Sequence, residues 1–205
     1  MPAKKHWEKV YRTKAPDAVS WYAPHLETSL ALIRKVCPEH AARLIDVGGG
    51  ESTLVDDLLR EGYGDITVLD LSETALQVAR ARLGEAAARV RWIAGDITTV
   101  ALPAAAFDLW HDRAVFHFLT DEPSRRRYVR QVAHSVKPGG FVIVAAFGPQ
   151  GPTHCSGLEV ARYAPDALHA EFGARFRLLR SEEELHRTPF GTTQQFVYCL
   201  CRMEV

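Results

Sequence analysis

The sequence predicts a single α/β domain with a doubly wound, mostly parallel sheet of seven strands, and three observations lead to this prediction. Short apolar segments alternate with segments of helical periodicity along the 205-residue chain. Glycines at positions 48–50 follow the first apolar segment, where a strand would turn into a helix. Two apolar segments at the end of the chain meet around Pro189-Phe190-Gly191, which indicates a hairpin. Because hairpin strands are antiparallel, we expect one strand to run against the others.

The predicted elements follow one another with short connections. The helices are expected at residues 26–36, 52–61, 73–83, 121–136 and 164–172, and the strands at 43–47, 66–71, 90–94, 107–110, 141–147, 176–186 and 192–202. Ser72 is expected to cap the third helix, and Lys137–Gly140 to end the fourth. Residues 1–25 carry four aromatic side chains without a helical stripe, and we expect them to pack on the domain or on a ligand.

Composition excludes several classes of protein. Lys and Arg balance Asp and Glu at 25 each, which argues against a nucleic-acid binder. No apolar run approaches the roughly 20 residues of a membrane span, and the first residues lack the apolar segment of a secretory signal. The four cysteines form no Cys-x-x-Cys pair, which argues against a metal site. We therefore expect a cytoplasmic protein without a membrane, nucleic-acid or metal partner.

Three segments at the ends of predicted strands indicate a nucleotide-like ligand. The glycines 48–50 would let a ligand approach the backbone closely at a helix N-terminus. Asp70 lies 22 residues after Gly48, the spacing at which a carboxylate binds ribose hydroxyls. Asp96, between Gly95 and Ile97, is placed to bind the adenine amine. Thr53 stands where a dinucleotide-binding motif would have its last glycine, which argues against NAD.

Together these segments resemble the class I S-adenosylmethionine-dependent methyltransferases from about residue 42 to residue 147. Phe107–Asp112 and Lys137–Gly140 resemble two further motifs of that family, and Ser52 departs from its glycine pattern. The resemblance implies a Rossmann-like fold with a reversed seventh strand and S-adenosylmethionine as the cofactor. The cofactor-binding residues expected on this basis are Trp21, Asp46, Gly48, Gly49, Gly50, Asp70, Leu71, Gly95, Asp96, Ile97 and His111.

Three ionisable residues in a row, His111, Asp112 and Arg113, follow the fourth predicted strand, where ligands bind in open α/β sheets. An imidazole there could take a proton from a hydroxyl, amine or thiol. We therefore name His111 and Asp112 as candidate catalytic residues. In the alternative interpretation, Asp112 and Arg113 pair with each other and His111 only lines the cofactor cleft.

The acceptor is expected between the N-terminal segment and the loop that follows the fifth predicted strand, residues 148–157. Residues 1–36 would form a lid segment and a helix, 42–147 the cofactor-binding core, and 148–205 the acceptor side of one domain. The candidate substrate-binding residues are Tyr22, Arg113, His154, Cys155 and His186. With no inserted substrate domain, the first hypothesis is a small-molecule acceptor, such as a thiol or another soft nucleophile. A protein lysine methyltransferase and a non-catalytic cofactor-binding module are the alternatives.

Overall fold

The computed structural model describes residues 2–204 and contains alternating helices and strands, as predicted. The helices are α1 (Pro2–Thr13), α2 (Glu27–Val36), α3 (Leu54–Arg60), α4 (Glu73–Leu83), α5 (Glu122–Ser135) and α6 (Pro165–Ala170). The strands are β1 (Arg43–Val47), β2 (Asp65–Asp70), β3 (Val90–Ala94), β4 (Phe107–Arg113), β5 (Val136–Phe147), β6 (His154–Cys155), β7 (Leu158–Glu159), β8 (Phe176–Arg187) and β9 (Thr193–Met203). None of the helices within residues 2–204 is long and apolar enough to cross a membrane.

Seven strands form one sheet in the order β3-β2-β1-β4-β5-β9-β8. The pairs among β1 to β5 are parallel, whereas β9 pairs antiparallel with both β5 and β8. The predicted mostly parallel sheet with one reversed strand is therefore confirmed. The strand order changes direction between β1 and β4, and ligands bind in open α/β sheets at the carboxyl ends of strands beside such a switch point.

The core consists of two apolar layers, one on each face of the sheet. Successive residues of β5 show the alternation, because Ile143 packs into one layer and Val144 into the other, and both are fully buried. Cys199 and Cys201 of β9 lie in the same layer as Val144, with their sulfur atoms 3.3 Å apart. They are small buried core residues.

The N-terminal helix α1 differs from the prediction, which expected no helical stripe before residue 26. Trp7, Val10 and Tyr11 recur at spacings of three and four, so they share one face of the helix, and charged residues occupy the other. The Glu8 carboxylate accepts a hydrogen bond from the backbone N–H of Glu73, at 2.8 Å, and so ties α1 to the first turn of α4. This apolar face was not predicted because it is short, and because the contact that holds α1 on the domain comes from α4, which is distant in sequence.

The largest differences from the other expected elements concern β4, β5 and residues 148–157. Strand β4 continues to Arg113, and β5 begins at Val136 instead of residue 141. An irregularity in the pairing of β4 with β5, between Phe107 and Leu109, lets Lys137–Gly140 lie inside the long strand. Residues 148–157, expected as a loop, contribute to the small antiparallel hairpin of β6 and β7.

Candidate functional site

A cavity of about 400 Å³ opens at the carboxyl ends of β1 to β4 and falls in the usual size range of small-molecule sites. Seven of the expected cofactor residues line it, namely Trp21, Gly48, Asp70, Leu71, Gly95, Asp96 and Ile97. Asp46, Gly49 and His111 line an adjoining recess of about 40 Å³. The structure therefore brings the separate sequence segments together around one site.

The glycine segment after β1 needs glycine for steric reasons. Gly48 has φ +72°, and a Cβ atom there would lie 1.9 Å from a methyl carbon of Val115. Gly50 has φ +38°, and its Cβ would lie 2.9 Å from a carboxylate oxygen of Asp70. Gly50 lines neither cavity but allows the Asp70 carboxylate to approach the backbone. The segment thus forms a thin wall that a ligand can approach closely.

Asp70 places a buried carboxylate in the cavity at the end of β2. Its Oδ1 accepts a hydrogen bond from the backbone N–H of Ser72 at 2.8 Å, and only 6% of the residue is exposed. Burial raises the pKa of Asp70 to about 7, partly opposed by the Ser72 hydrogen bond and reinforced by the charge of Asp46. Such a group gains most from a ligand that donates hydrogen bonds to it, as ribose hydroxyls do.

Asp96 and Ile97 form the other end of the cavity. Asp96 Oδ1 accepts hydrogen bonds from the backbone N–H and the hydroxyl of Thr98, at 2.8 Å and 2.7 Å, which fixes the turn after β3. Ile97 is 5% exposed and lines the cavity beside it. The pair thus presents one polar and one apolar surface, an arrangement that suits the edge and face of a purine ring.

His111 lies in a chain of buried hydrogen bonds. Its Nδ1 is 2.7 Å from Asp46 Oδ1, and its Nε2 is 2.9 Å from the hydroxyl of Ser29. The Ser29 hydroxyl is in turn 3.3 Å from that of Tyr198. Because both ring nitrogens have partners and the residue is 2% exposed, its environment differs from that of a free general base. Its position agrees with the alternative in which His111 lines the cleft.

Asp112 lies outside both cavities and is fully buried. Its carboxylate accepts hydrogen bonds from the backbone N–H groups of Val115 and Phe116, at 2.9 Å and 3.1 Å, and from the Tyr128 hydroxyl at 2.6 Å. These contacts shape the turn after β4. The position is a correction to both interpretations of Asp112, since it neither reaches the cavity nor pairs with Arg113, whose side chain points to the opposite face of the strand.

Arg113 holds the N-terminal segment against the sheet. Its Nη1 donates to the backbone oxygen of Trp21 and its Nη2 to Glu184, both at 3.1 Å, while its Nε donates to the Tyr198 hydroxyl at 3.1 Å. The guanidinium carbon lies 4.2 Å from the centre of the Phe196 ring. Arg113 lines both cavities, but its hydrogen bonds identify it as a residue that positions Trp21.

His186 holds the backbone at Ser20, next to Trp21, because its Nε2 donates a hydrogen bond to the carbonyl oxygen of Ser20 at 2.9 Å. We call residues 20–22, held by Arg113 and His186, the strap. His186 lines neither cavity, so the expectation that it contacts substrate is corrected to a role in holding the strap. Tyr22, also expected to contact substrate, lines the small recess instead of the main cavity.

Aromatic side chains from α1 and the strap form the outer wall of the cavity. Trp7, Tyr11 and Trp21 all line it. The Trp7 ring centre lies 5.7 Å from that of Trp21 and 5.1 Å from that of Phe118. Edge-to-face contacts of this kind stabilise the cluster beyond the area it buries. The N-terminal segment therefore packs over the cavity.

The β6–β7 hairpin supplies the remaining wall. Cys155 is 4% exposed and lines the cavity, and burial raises the pKa of its thiol to about 11. His154 is exposed, contacts Thr153 at 3.1 Å, and lies outside both cavities, which corrects its expected contact with substrate.

Sequence reasoning missed several groups in the site, and three of them carry polar or wall-forming side chains. Leu158 and Glu159 follow Cys155 in the cavity wall, and the available signal was the dipeptide Ser156-Gly157, which is typical of a turn. Glu51, in the recess, was also missed, although it stands inside the glycine segment. Among residues 2–204, no group of three or more His, Cys, Asp or Glu side chains is arranged to hold a metal ion.

Comparison with known proteins agrees with this geometry. Residues 44–140 match the protein family described as "Methyltransferase domain". The bovine eEF1A lysine and N-terminal methyltransferase is 28% identical over 141 residues, which are 66% of this chain and 20% of that protein. The ubiquinone biosynthesis O-methyltransferase of Methylobacterium nodulans is 33% identical over 112 residues, 55% of this chain and 43% of that protein. This chain thus covers less than half the length of either relative.

A solved structure of an S-adenosylmethionine-dependent methyltransferase from Anabaena variabilis shares the fold over the whole chain. It has a TM-score of 0.75 at 16% identity, and the match covers 100% of this chain and 96% of the other. The chain therefore carries a methyltransferase domain over residues 44–140, and in it the glycine segment, Asp70 and Asp96 lie around one cavity, as the resemblance to the class I S-adenosylmethionine-dependent methyltransferases implies. Its cofactor is S-adenosylmethionine.

Proposed function

We propose that this protein transfers the methyl group of S-adenosylmethionine to a small-molecule acceptor enclosed beneath α1 and the strap. One observation carries the proposal. The main cavity is bordered by Trp7, Tyr11 and Trp21 on one side and by Cys155 and Leu158 on the other. An aromatic cover of this kind excludes water and suits a small, largely apolar molecule better than an extended peptide.

The residues of the cavity fit the cofactor. Asp70 would hold the ribose, Asp96 and Ile97 the adenine, and the glycine segment would allow close approach of the rest of the molecule. When bound, the cofactor supplies a methyl group activated by a positively charged sulfur. The remaining contribution of this chain is positioning and exclusion of water by the aromatic wall.

The absence of a histidine among the described residues lining the main cavity supports a soft nucleophile. His111 has both ring nitrogens engaged, and Asp112 points into the turn after β4. Thiols are partly ionised near neutral pH and need little help from a base, whereas hydroxyls need a strong one. A thiol or similar soft nucleophile is therefore the proposed acceptor class.

Protein lysine methylation is the second candidate, because the bovine relative carries lysine methyltransferase in its name. Both candidates can be tested with tritium-labelled S-adenosylmethionine, a library of small thiols, phenols and amines, and lysate protein. The proposal expects label in the small-molecule fraction, strongest for thiols, and much less of it with Asp70→Ala at the same cofactor concentration. Label confined to protein would favour the lysine hypothesis. Bound cofactor without any transfer would indicate a binding module.

A further inference from the structure

Glu51 is a buried carboxylate without a partner beside the cofactor cavity. The residue is 7% exposed, and neither side-chain oxygen has a hydrogen-bond partner among the described residues. It lines the recess that also contains Asp46 and His111. Tyr11, Trp21, Gly48 and Arg113 line both the recess and the main cavity, so the two spaces adjoin. Because an unpaired buried carboxylate is costly, the arrangement suits a cationic ligand.

Two cationic side chains near Glu51, those of Arg82 and Arg113, are engaged elsewhere. Arg82 donates to the backbone oxygens of Glu51 and Ser52 and to the carboxylate of Asp56. Arg113 donates to Trp21, Tyr198 and Glu184, as described above. Burial raises the pKa of Glu51 to about 7, although the charge of Arg82 acts to lower it. Neither arginine therefore neutralises this carboxylate by direct contact.

Asp46, the carboxylate just before the glycine segment, also has a hydrogen-bond partner. Asp46 Oδ1 is 2.7 Å from His111 Nδ1, and the other ring nitrogen of His111 is held by Ser29. Glu51 is therefore the carboxylate in the recess for which neither oxygen has a hydrogen-bond partner among the described residues. The recess has a volume of about 40 Å³, which exceeds the roughly 10–15 Å³ that a single buried water molecule needs in the same measure. It therefore has room for a small polar group such as an ammonium.

We propose that Glu51 is the counter-ion of the α-ammonium group of the cofactor's methionine part, which would enter this recess. The carboxylate gains charge-assisted hydrogen bonds from the ammonium, and the ligand is distinguished from nucleosides that lack the amino group. The proposal concerns the cofactor and is independent of the acceptor proposed above. It adds an affinity-determining residue that the glycine motif alone does not identify.

Calorimetry on the full chain tests the assignment with three ligands. S-adenosylhomocysteine carries the amino and carboxyl groups, decarboxylated S-adenosylmethionine keeps only the amino group, and 5′-methylthioadenosine has neither. Glu51→Gln should weaken binding of the first two by about 10- to 100-fold and leave the third within about twofold. Glu51→Asp should recover part of the lost affinity. Glu39→Gln, an exposed carboxylate outside both cavities, is the control and should change none of the three.

Three results would overturn the assignment. Equal weakening of all three ligands by Glu51→Gln would show that Glu51 only supports the glycine segment. A loss for S-adenosylhomocysteine but not for decarboxylated S-adenosylmethionine would show that the effect of Glu51 does not act through the ammonium group, which both ligands carry. Unchanged affinity for every ligand would show that the carboxylate makes no contact with the cofactor. Thermal melting of each variant checks folding, and Glu51→Gln should not lower the melting temperature, since it removes an unpaired buried charge.

Discussion

Replacing Arg113 by Met tests the role of the buried guanidinium in holding the strap. The substitution removes hydrogen bonds to Trp21, Glu184 and Tyr198, each 3.1 Å long. It also leaves Glu184, whose side chain is only 20% exposed, without its cation. Hydrogen bonds to charged groups contribute about 1.5–3 kcal/mol each. Because Met keeps the packing of the stem and avoids the desolvation of the guanidinium, the net loss should be about 3–5 kcal/mol.

Denaturant unfolding near neutral pH, followed by circular dichroism, measures this loss. Arg113→Met with Glu184→Gln should recover at least half of it, because the double variant removes the stranded carboxylate. Arg177→Met is the matched control, since the Arg177–Glu204 pair is about half exposed, with side chains 58% and 49% accessible, and should cost less than about 1 kcal/mol. A loss below about 1 kcal/mol for Arg113→Met, or a double variant no more stable than the single one, would refute the argument.

Two further predictions concern the site, and a third concerns the fully buried His117. Gly48→Ala, at φ +72° and 1.9 Å from Val115, should lower the free energy of unfolding by about 1–3 kcal/mol and abolish cofactor binding; normal calorimetric binding would contradict the close approach. Asp70→Ala should weaken the binding of S-adenosylhomocysteine by about 1.5–3 kcal/mol, measured by the same calorimetry. A change in binding free energy below about 0.5 kcal/mol would exclude the contact with the ribose. Burial, together with the charge of Arg113, lowers the pKa of His117 from 6.5 to about 3. Because the unfolded chain binds a proton at this residue more readily than the folded one, the stability that the neutral ring provides is complete above pH 6.5 and decreases as the pH falls from 6.5 toward 3. His117→Phe should remove that part of the acid dependence in unfolding titrations, and an unchanged slope would refute it.

The cofactor half of the site could be predicted because its signals are local. The glycines, Asp70 and Asp96 each stand at the end of a strand, and the carboxyl ends of parallel strands meet at one edge of a sheet. The hairpin and the reversed β9 were predictable from two apolar segments and a turn. For these residues, the local sequence segment and the strand that it follows are enough to predict where the side chain lies in the structure.

The roles of the ionisable residues after β4 could not be predicted, because their partners are distant in sequence. His111 is held by Ser29, 82 residues away, and Arg113 by Glu184, 71 residues away. Which groups remain free in the cavity depends on these pairings. The sequence shows that Asp112 has an ionisable side chain, but the alternation of β4 turns it away from Arg113 and toward Tyr128.

Calorimetric titration of the purified protein with S-adenosylhomocysteine and, separately, with NAD tests the central claim most directly. The arrangement of Asp70, Asp96 and the glycine segment predicts micromolar binding of S-adenosylhomocysteine, about 7–9 kcal/mol. The binding of NAD should be far weaker, because Thr53 replaces the last glycine of the dinucleotide motif. No heat of binding with S-adenosylhomocysteine, or a tighter complex with NAD, would contradict the account.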